Sequence, residues 1–116
     1  MSFRKCVVAF ACVISLIGAA SAQVNPFTKN TAGLSRTDIN LLEAAAAKLY
    51  KSSNPKVGAS RTWANAKSGH SGVVRIIGVK KPCVRLRHTI KQKGVTDAGV
   101  FAVSRCNVNG TWQRKF

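Results

Sequence analysis

Two cysteines set in two stretches of alternating hydrophobicity constrain this chain more than any other feature. Cys83–Lys91 and Ala98–Cys106 each read as a strand of period two; in the first, Val84, Leu86, His88 and Ile90 alternate with Arg85, Arg87 and Thr89. If Cys83 lies opposite Cys106 in an antiparallel hairpin, Val84 faces Arg105, Leu86 faces Val103, His88 faces Phe101 and Ile90 faces Gly99. These pairs form a mostly apolar face, expected to meet a helix. Arg85 with Ser104, Arg87 with Ala102 and Thr89 with Val100 share the opposite face with the cysteines. A slip of one residue would send both sets to the wrong side. Cysteine pairing and hydrophobic alternation thus specify one register by independent routes.

Whether the cysteines are oxidised depends on the compartment. Residues 1–22 read MSFRKCVVAFACVISLIGAASA: Arg4 and Lys5, an apolar run from Cys6 to Gly18 broken only by Ser15, then Ala20-Ser21-Ala22. This is the layout of a cleavable secretory signal peptide. A retained membrane anchor is one alternative, but the run is shorter than the ~20 residues that span hydrocarbon. A lipoprotein signal acylated at Cys12 is another, and Ala9-Phe10-Ala11 before it is a poor lipobox. Cleavage after Ala22 removes Cys6 and Cys12 and leaves no transmembrane segment in the mature chain. Cys83 and Cys106 remain as an even pair in an oxidising compartment, where a disulfide is the default and two free thiols the alternative. Closing that loop stabilises the fold by about 3 kcal/mol on the chain-entropy model. The wide spacing suggests neither a C-x-x-C redox motif nor a zinc knuckle. The expected location is the periplasm, the outer-membrane surface or the extracellular space.

The remaining elements follow from local signals. Residues 23–34 are polar, with Pro26, Asn30 and Gly33, and are expected to be a flexible leader. Ser35 caps a helix, with Asp38 three residues on at the positive end of the helix dipole. The helix should run to Tyr50 or Lys51, present Ile39, Leu42, Ala46 and Leu49 on one face, and stop at Ser52-Ser53-Asn54-Pro55. Its polar face carries too few cations for a membrane-surface helix. Strands are expected at Gly58–Ala64, Gly72–Val79, Cys83–Lys91, Ala98–Cys106 and Thr111–Lys115, with Asn109-Gly110 as a two-residue hairpin turn. The short connections favour antiparallel neighbours. Residues 35–116 are therefore expected to form an α+β domain: one N-terminal helix packed on an antiparallel sheet of about five strands, with one disulfide.

Charge narrows the function. The chain has 19 Lys+Arg against 3 Asp+Glu, a net +16, and loses two of those charges with the signal peptide. The acids Asp38, Glu43 and Asp97 lie far apart, which supplies neither a carboxylate pair for hydrolysis nor an oxygen-ligand metal site. A hydrophobic fraction of 46% is too high for a disordered basic tail. Export disfavours chromosomal DNA and favours an anionic envelope glycan or lipid, a host surface, or an acidic envelope protein. Between Arg75 and Lys93 there are seven cations, Arg75, Lys80, Lys81, Arg85, Arg87, Lys91 and Lys93, and no acid. Arginine forks onto phosphate oxygens, so a shared face of these residues suits phosphorylated glycans or lipids; a solvated face that only keeps the protein soluble is the competing reading. His70 lies between two glycines in a loop and is expected to be solvated, while His88 falls on the inner face as a core residue. No G-x-S-x-G elbow, P-loop or G-x-G-x-x-G occurs. No enzyme, metal or cofactor is expected. Trp63 and Trp112, on the first and last strands, are expected to close the ends of the core rather than to stack on a ligand.

One group of residues also has a familiar order. Trp63-x-Asn65-x-x-Ser68-Gly69-x-x-Gly72 is followed by Pro82-Cys83-x-Arg85, then Arg105-Cys106, then Asn109-Gly110-x-Trp112. This resembles the C-terminal domain of the rickettsial-type seventeen-kilodalton surface antigens and related bacterial surface proteins, over residues 58–113 plus the preceding helix. The resemblance implies a surface or periplasmic envelope protein without catalysis, and it implies no defined ligand. The second functional reading is a protein-interaction module, such as a periplasmic inhibitor or a subunit of a surface assembly. That reading expects an uncovered sheet edge near Trp63 or Trp112.

Overall fold

A computed structural model of the chain describes residues 25–116; the signal peptide and cleavage site expected from the sequence, and Cys12, lie outside the described residues. Two helices, α1 (Pro26–Asn30) and α2 (Arg36–Tyr50), precede five strands: β1 (Ser60–Asn65), β2 (His70–Lys80), β3 (Cys83–Lys91), β4 (Gly99–Val108) and β5 (Thr111–Lys115). The strands form one antiparallel sheet in sequence order, β1-β2-β3-β4-β5. The fold is therefore the expected α+β arrangement of a helix on a five-stranded sheet with one disulfide.

Local chemistry starts α2 at the expected place. The Ser35 hydroxyl accepts from the Asp38 N–H (3.1 Å), and the Asp38 carboxylate accepts from the Ser35 N–H (2.9 Å). This reciprocal capping box satisfies two donors that a helix N-terminus leaves free. Leu42, Ala46 and Leu49 are buried against Val74, Ile76, Leu86, Ile90 and Val103 of the sheet, while Ile39 is half-buried at the margin.

The hairpin of β3 and β4 adopts the register set by the cysteines. Cys83 pairs with Cys106 and forms the disulfide, and the following pairs run through Leu86–Val103 and His88–Phe101 to Ile90–Gly99. Val84, Leu86, His88, Ile90, Phe101, Val103 and Arg105 are buried, and Arg85 and Arg87 are exposed. At the β4–β5 turn both central residues have positive φ, Asn109 at 54° and Gly110 at 87°. That geometry matches the right-handed strand twist and explains the Asn-Gly pair.

The segment 23–34 differs from the flexible leader expected of it. From Asn25 onward it is folded: Asn25 caps α1 by accepting from the Thr28 N–H (2.7 Å), and proline occupies the first helical position. Phe27 is buried, edge-on to Phe101 with ring centroids 5.7 Å apart. The polar composition hid the apolar side chains that dock the segment: Phe27 is buried in the core, Leu34 packs against it, and Thr31 is buried between them in sequence.

A second difference is a bulge at Ile77. The register shifts between Ile76 and Gly78, so Ile76 faces Leu86 but Gly78 faces Arg85. The extra residue restores Val79 to the helix side and sends Lys80 to the opposite face.

Candidate functional site: the open face of the sheet

Both helices lie on one side of the sheet, and no described residue covers the other side. Register places the residues of that open face in rows across the strands. Ser60, Arg75, Arg87 and Ala102 form one row. Arg85, Ser104 and Lys115 form the next, followed by Lys80, Cys83, Cys106 and Gln113. On the other side of the first row lie Thr62, Val73, Thr89 and Val100, then Ala64, Ser71 and Lys91. Arg75, Arg85, Arg87, Lys80 and Lys91 thus share one face, joined by Lys115, which the sequence reading did not single out. Arg85 is held by a hydrogen bond from its Nη1 to the Ser104 hydroxyl (3.0 Å).

Two of the seven predicted cations lie elsewhere. Lys81 sits in the β2–β3 turn and lines a groove on the helix side with Tyr50, Pro82 and Trp112. Lys93 is in the β3–β4 loop; its backbone N–H donates to His70 Nδ1 (2.9 Å), and its side-chain stem passes over Gly69. His70 is therefore partnered and half-buried rather than fully solvated.

The acids explain why this face is uncompensated. Asp38, in the first turn of α2, is buried and accepts from Asn65 Nδ2 (2.8 Å) and the Ser68 hydroxyl (2.7 Å) as well as from Ser35. Burial alone would raise its pKa, but the Ser35 N–H and then Ser68 and Asn65 together lower it from 3.8 to about 2. Glu43 accepts two hydrogen bonds from Arg105 Nη2 (2.6 and 2.8 Å) and meets Arg114 Nη2 at 3.6 Å. Asp97, the third acid, is exposed in the β3–β4 loop. Asp38 and Glu43 are thus both engaged on the helix side rather than on the open face.

The motif residues have structural tasks. Trp63 lies directly across from Gly72, and a Cβ there would come within 2.5 Å of Trp63 Nε1 and 2.9 Å of the Thr89 carbonyl. Glycine at this position lets the indole lie flat on the strand. Asn65 and Ser68 bind the Asp38 carboxylate, and Gly69 (φ 78°) closes the β1–β2 turn, donating its N–H to the Asn65 carbonyl (2.8 Å). Trp112 packs against Tyr50 with ring centroids 4.9 Å apart, and Gly110 completes the last hairpin. Trp63 and Trp112 therefore close the two ends of the core.

His88 is fully buried and stacked on Phe101, with ring centroids 4.9 Å apart. Neither ring nitrogen has a hydrogen-bond partner among the described residues. Burial, reinforced by the Arg105 and Arg114 charges, pushes its pKa from 6.5 down to about 4. An unfolded chain takes up that proton before the folded one does. The stability His88 provides is therefore complete above pH 6.5 and is lost as pH falls from there through 4. Urea midpoints measured across that interval should fall for the native chain and stay level for His88→Leu. An unchanged slope in the variant would place the titrating group elsewhere.

Among the described residues no helix is long and apolar enough to cross a membrane, and no three His, Cys, Asp or Glu side chains cluster as a metal site. Compared with known proteins, the chain matches no family model, no curated protein sequence and no solved structure.

Proposed function

We propose that this is a noncatalytic exported envelope or surface protein that contacts anionic envelope or host polymers through the open face of its sheet. One observation carries the reading: six cations, Arg75, Lys80, Arg85, Arg87, Lys91 and Lys115, share a sheet face that no described residue covers, while Asp38 and Glu43 are committed to the helix side. A face kept only for solubility gains from mixed signs, and single-sign fields serve to attract an opposite charge. The signal-peptide layout of residues 1–22 and the resemblance to bacterial surface antigens support an envelope location.

The test is binding to lipopolysaccharide and to an acidic glycan as salt is raised. Exposed charges are screened over about 10 Å at 0.1 M salt, so affinity should fall steeply. The Arg85→Ala/Arg87→Ala pair should weaken binding about tenfold or more, equivalent to ~1.4 kcal/mol. Salt-insensitive binding, or equal binding by the double variant, would refute the assignment.

A specific feature also favours the second reading, a protein-interaction module. The strands bearing Trp63 and Trp112 are the two edges of the sheet. Of these β5 carries Arg114 and Lys115, a charged edge that resists strand addition, whereas β1 carries one cation, Arg61. A partner strand would therefore add at β1, and acidic side chains on it would match the charge of the chain. Pull-down from an envelope fraction separates this from polymer binding.

A further inference from the structure

The sheet contains two pairs of arginines placed directly opposite each other on neighbouring strands, and they are treated differently. Arg105 faces Arg114 on the helix side, and Arg75 faces Arg87 on the open side. Like charges directly across a strand pair repel and destabilise the sheet. In the first pair the fold supplies an anion: the Glu43 carboxylate accepts from Arg105 at 2.6 Å and meets Arg114 at 3.6 Å. In the second pair no described acid occupies the corresponding place; the row on one side adds Arg85 and Lys115, and the row on the other, Thr62, Val73, Thr89 and Val100, supplies no carboxylate.

From this contrast we infer that Arg75 and Arg87 form a binding subsite for one phosphate group, seated between the two guanidinium groups as Glu43 is seated between Arg105 and Arg114. The inference rests on reading the open face as a polyanion surface, and it names the position and chemical class of the recognised group. Cross-strand neighbours stand about 5 Å apart at Cα, and residues two apart along a strand stand about 6.6 Å apart. Both guanidinium groups therefore reach the oxygens of one tetrahedral anion, with Arg85 a row away, held in place by Ser104. Phosphate has more acceptor oxygens than a carboxylate and can take a fork from each side, which is the geometry arginine recognises. A second copy of the chain is a poor occupant, because face-to-face contact would oppose these cations to themselves. The phosphate can belong to a lipid headgroup or to a soluble phosphorylated polymer, since both offer the same oxygens.

The experiment compares the native chain with Arg87→Gln, Arg75→Gln/Arg87→Gln and an off-face charge control, Lys48→Gln. Thermal unfolding is followed in phosphate, pyrophosphate and acetate at matched ionic strength. The native midpoint should rise more in phosphate and pyrophosphate than in acetate. Without phosphate, Arg87→Gln should unfold about 2–4 °C higher than the native chain, because it relieves the repulsion. The same variant should lose the phosphate increment, and Lys48→Gln should keep it. Binding to polyphosphate, and to phosphatidylcholine vesicles containing phosphatidic acid, should weaken at least tenfold in the double variant. Capture by one of these and not the other supports the subsite and identifies the source of the phosphate. Equal midpoints in phosphate and acetate, or an Arg87→Gln chain no more stable than the native one, overturns the subsite. If polyanions still retain the native chain in that case, the basic-face reading stands without it. If no polyanion retains the native chain, both fall together.

Discussion

Glu43→Gln is expected to destabilise the protein by about 3 kcal/mol, because it removes the one counter-charge that the described residues supply to Arg105 and Arg114 on the helix side of the sheet. The Arg105 side chain is 7% exposed, whereas that of Glu43 is 31% exposed. The buried partner is therefore the one left uncompensated when the carboxylate goes. Arg105 also lies 5.2 Å from the centre of the Tyr50 ring, and Arg114 lies 3.8 Å from that of Phe27. These ring contacts favour a cation but neutralise no charge. The penalty should shrink when the buried cation is removed as well. A Glu43→Leu/Arg105→Met double variant should recover most of the loss, because replacing a buried ion pair by packed apolar groups is often neutral. Urea denaturation of Glu43→Leu, Arg105→Met and the double variant measures this. Additive losses would show that the pair is not energetically coupled.

That ion pair also shows where sequence reasoning reached and where it stopped. Period-two alternation and the cysteines were enough to put Arg105 on the inner face opposite Val84, where it is found. Its partner was not legible. Glu43 lies 62 residues away on a helix whose rotation over the sheet depends on packing, and no local spacing encodes that contact. The same holds for Asp38, whose helix-cap role was readable from Ser35 three residues earlier. Its second role, binding Asn65 and Ser68, joins α2 to a turn about 30 positions on. Local signals thus revealed elements and strand register, while helix-to-sheet contacts required the folded arrangement. For the basic face the reading was nearly complete on β3, where alternation fixes direction. It was incomplete on β2, where the bulge at Ile77 changes which side Lys80 takes, and silent on β5, where Lys115 joins the face only through its pairing with Ser104. Turn residues such as Lys81 and Lys93 have no alternation to orient them, and these are the two that lie off the face.

Asp38→Ala should also cost about 3 kcal/mol, by two mechanisms that a pH series separates. One is loss of the capping box at the start of α2, worth about 1 kcal/mol. The other is loss of the acceptor for Asn65 Nδ2 and the Ser68 hydroxyl, whose unsatisfied donors cost about 1–3 kcal/mol where they are shielded from water. The pH dependence follows from the lowered pKa. Because the folded carboxylate titrates near 2 rather than at 3.8, the stability it provides is complete above 3.8 and is lost as pH falls from there through 2. Asp38→Asn keeps a carbonyl acceptor for the turn but cannot titrate. It should lose less stability than Asp38→Ala at neutral pH and show a flatter stability profile below pH 3.8 than the native chain. The His88 contribution falls away from pH 6.5 to about 4, so the two acid-sensitive intervals scarcely overlap. If Asp38→Asn retained the native slope between pH 3.8 and 2, the acid sensitivity there would belong to another carboxylate. The network of Asp38, Asn65 and Ser68 would then be a packing contact rather than the charged anchor of the β1–β2 turn.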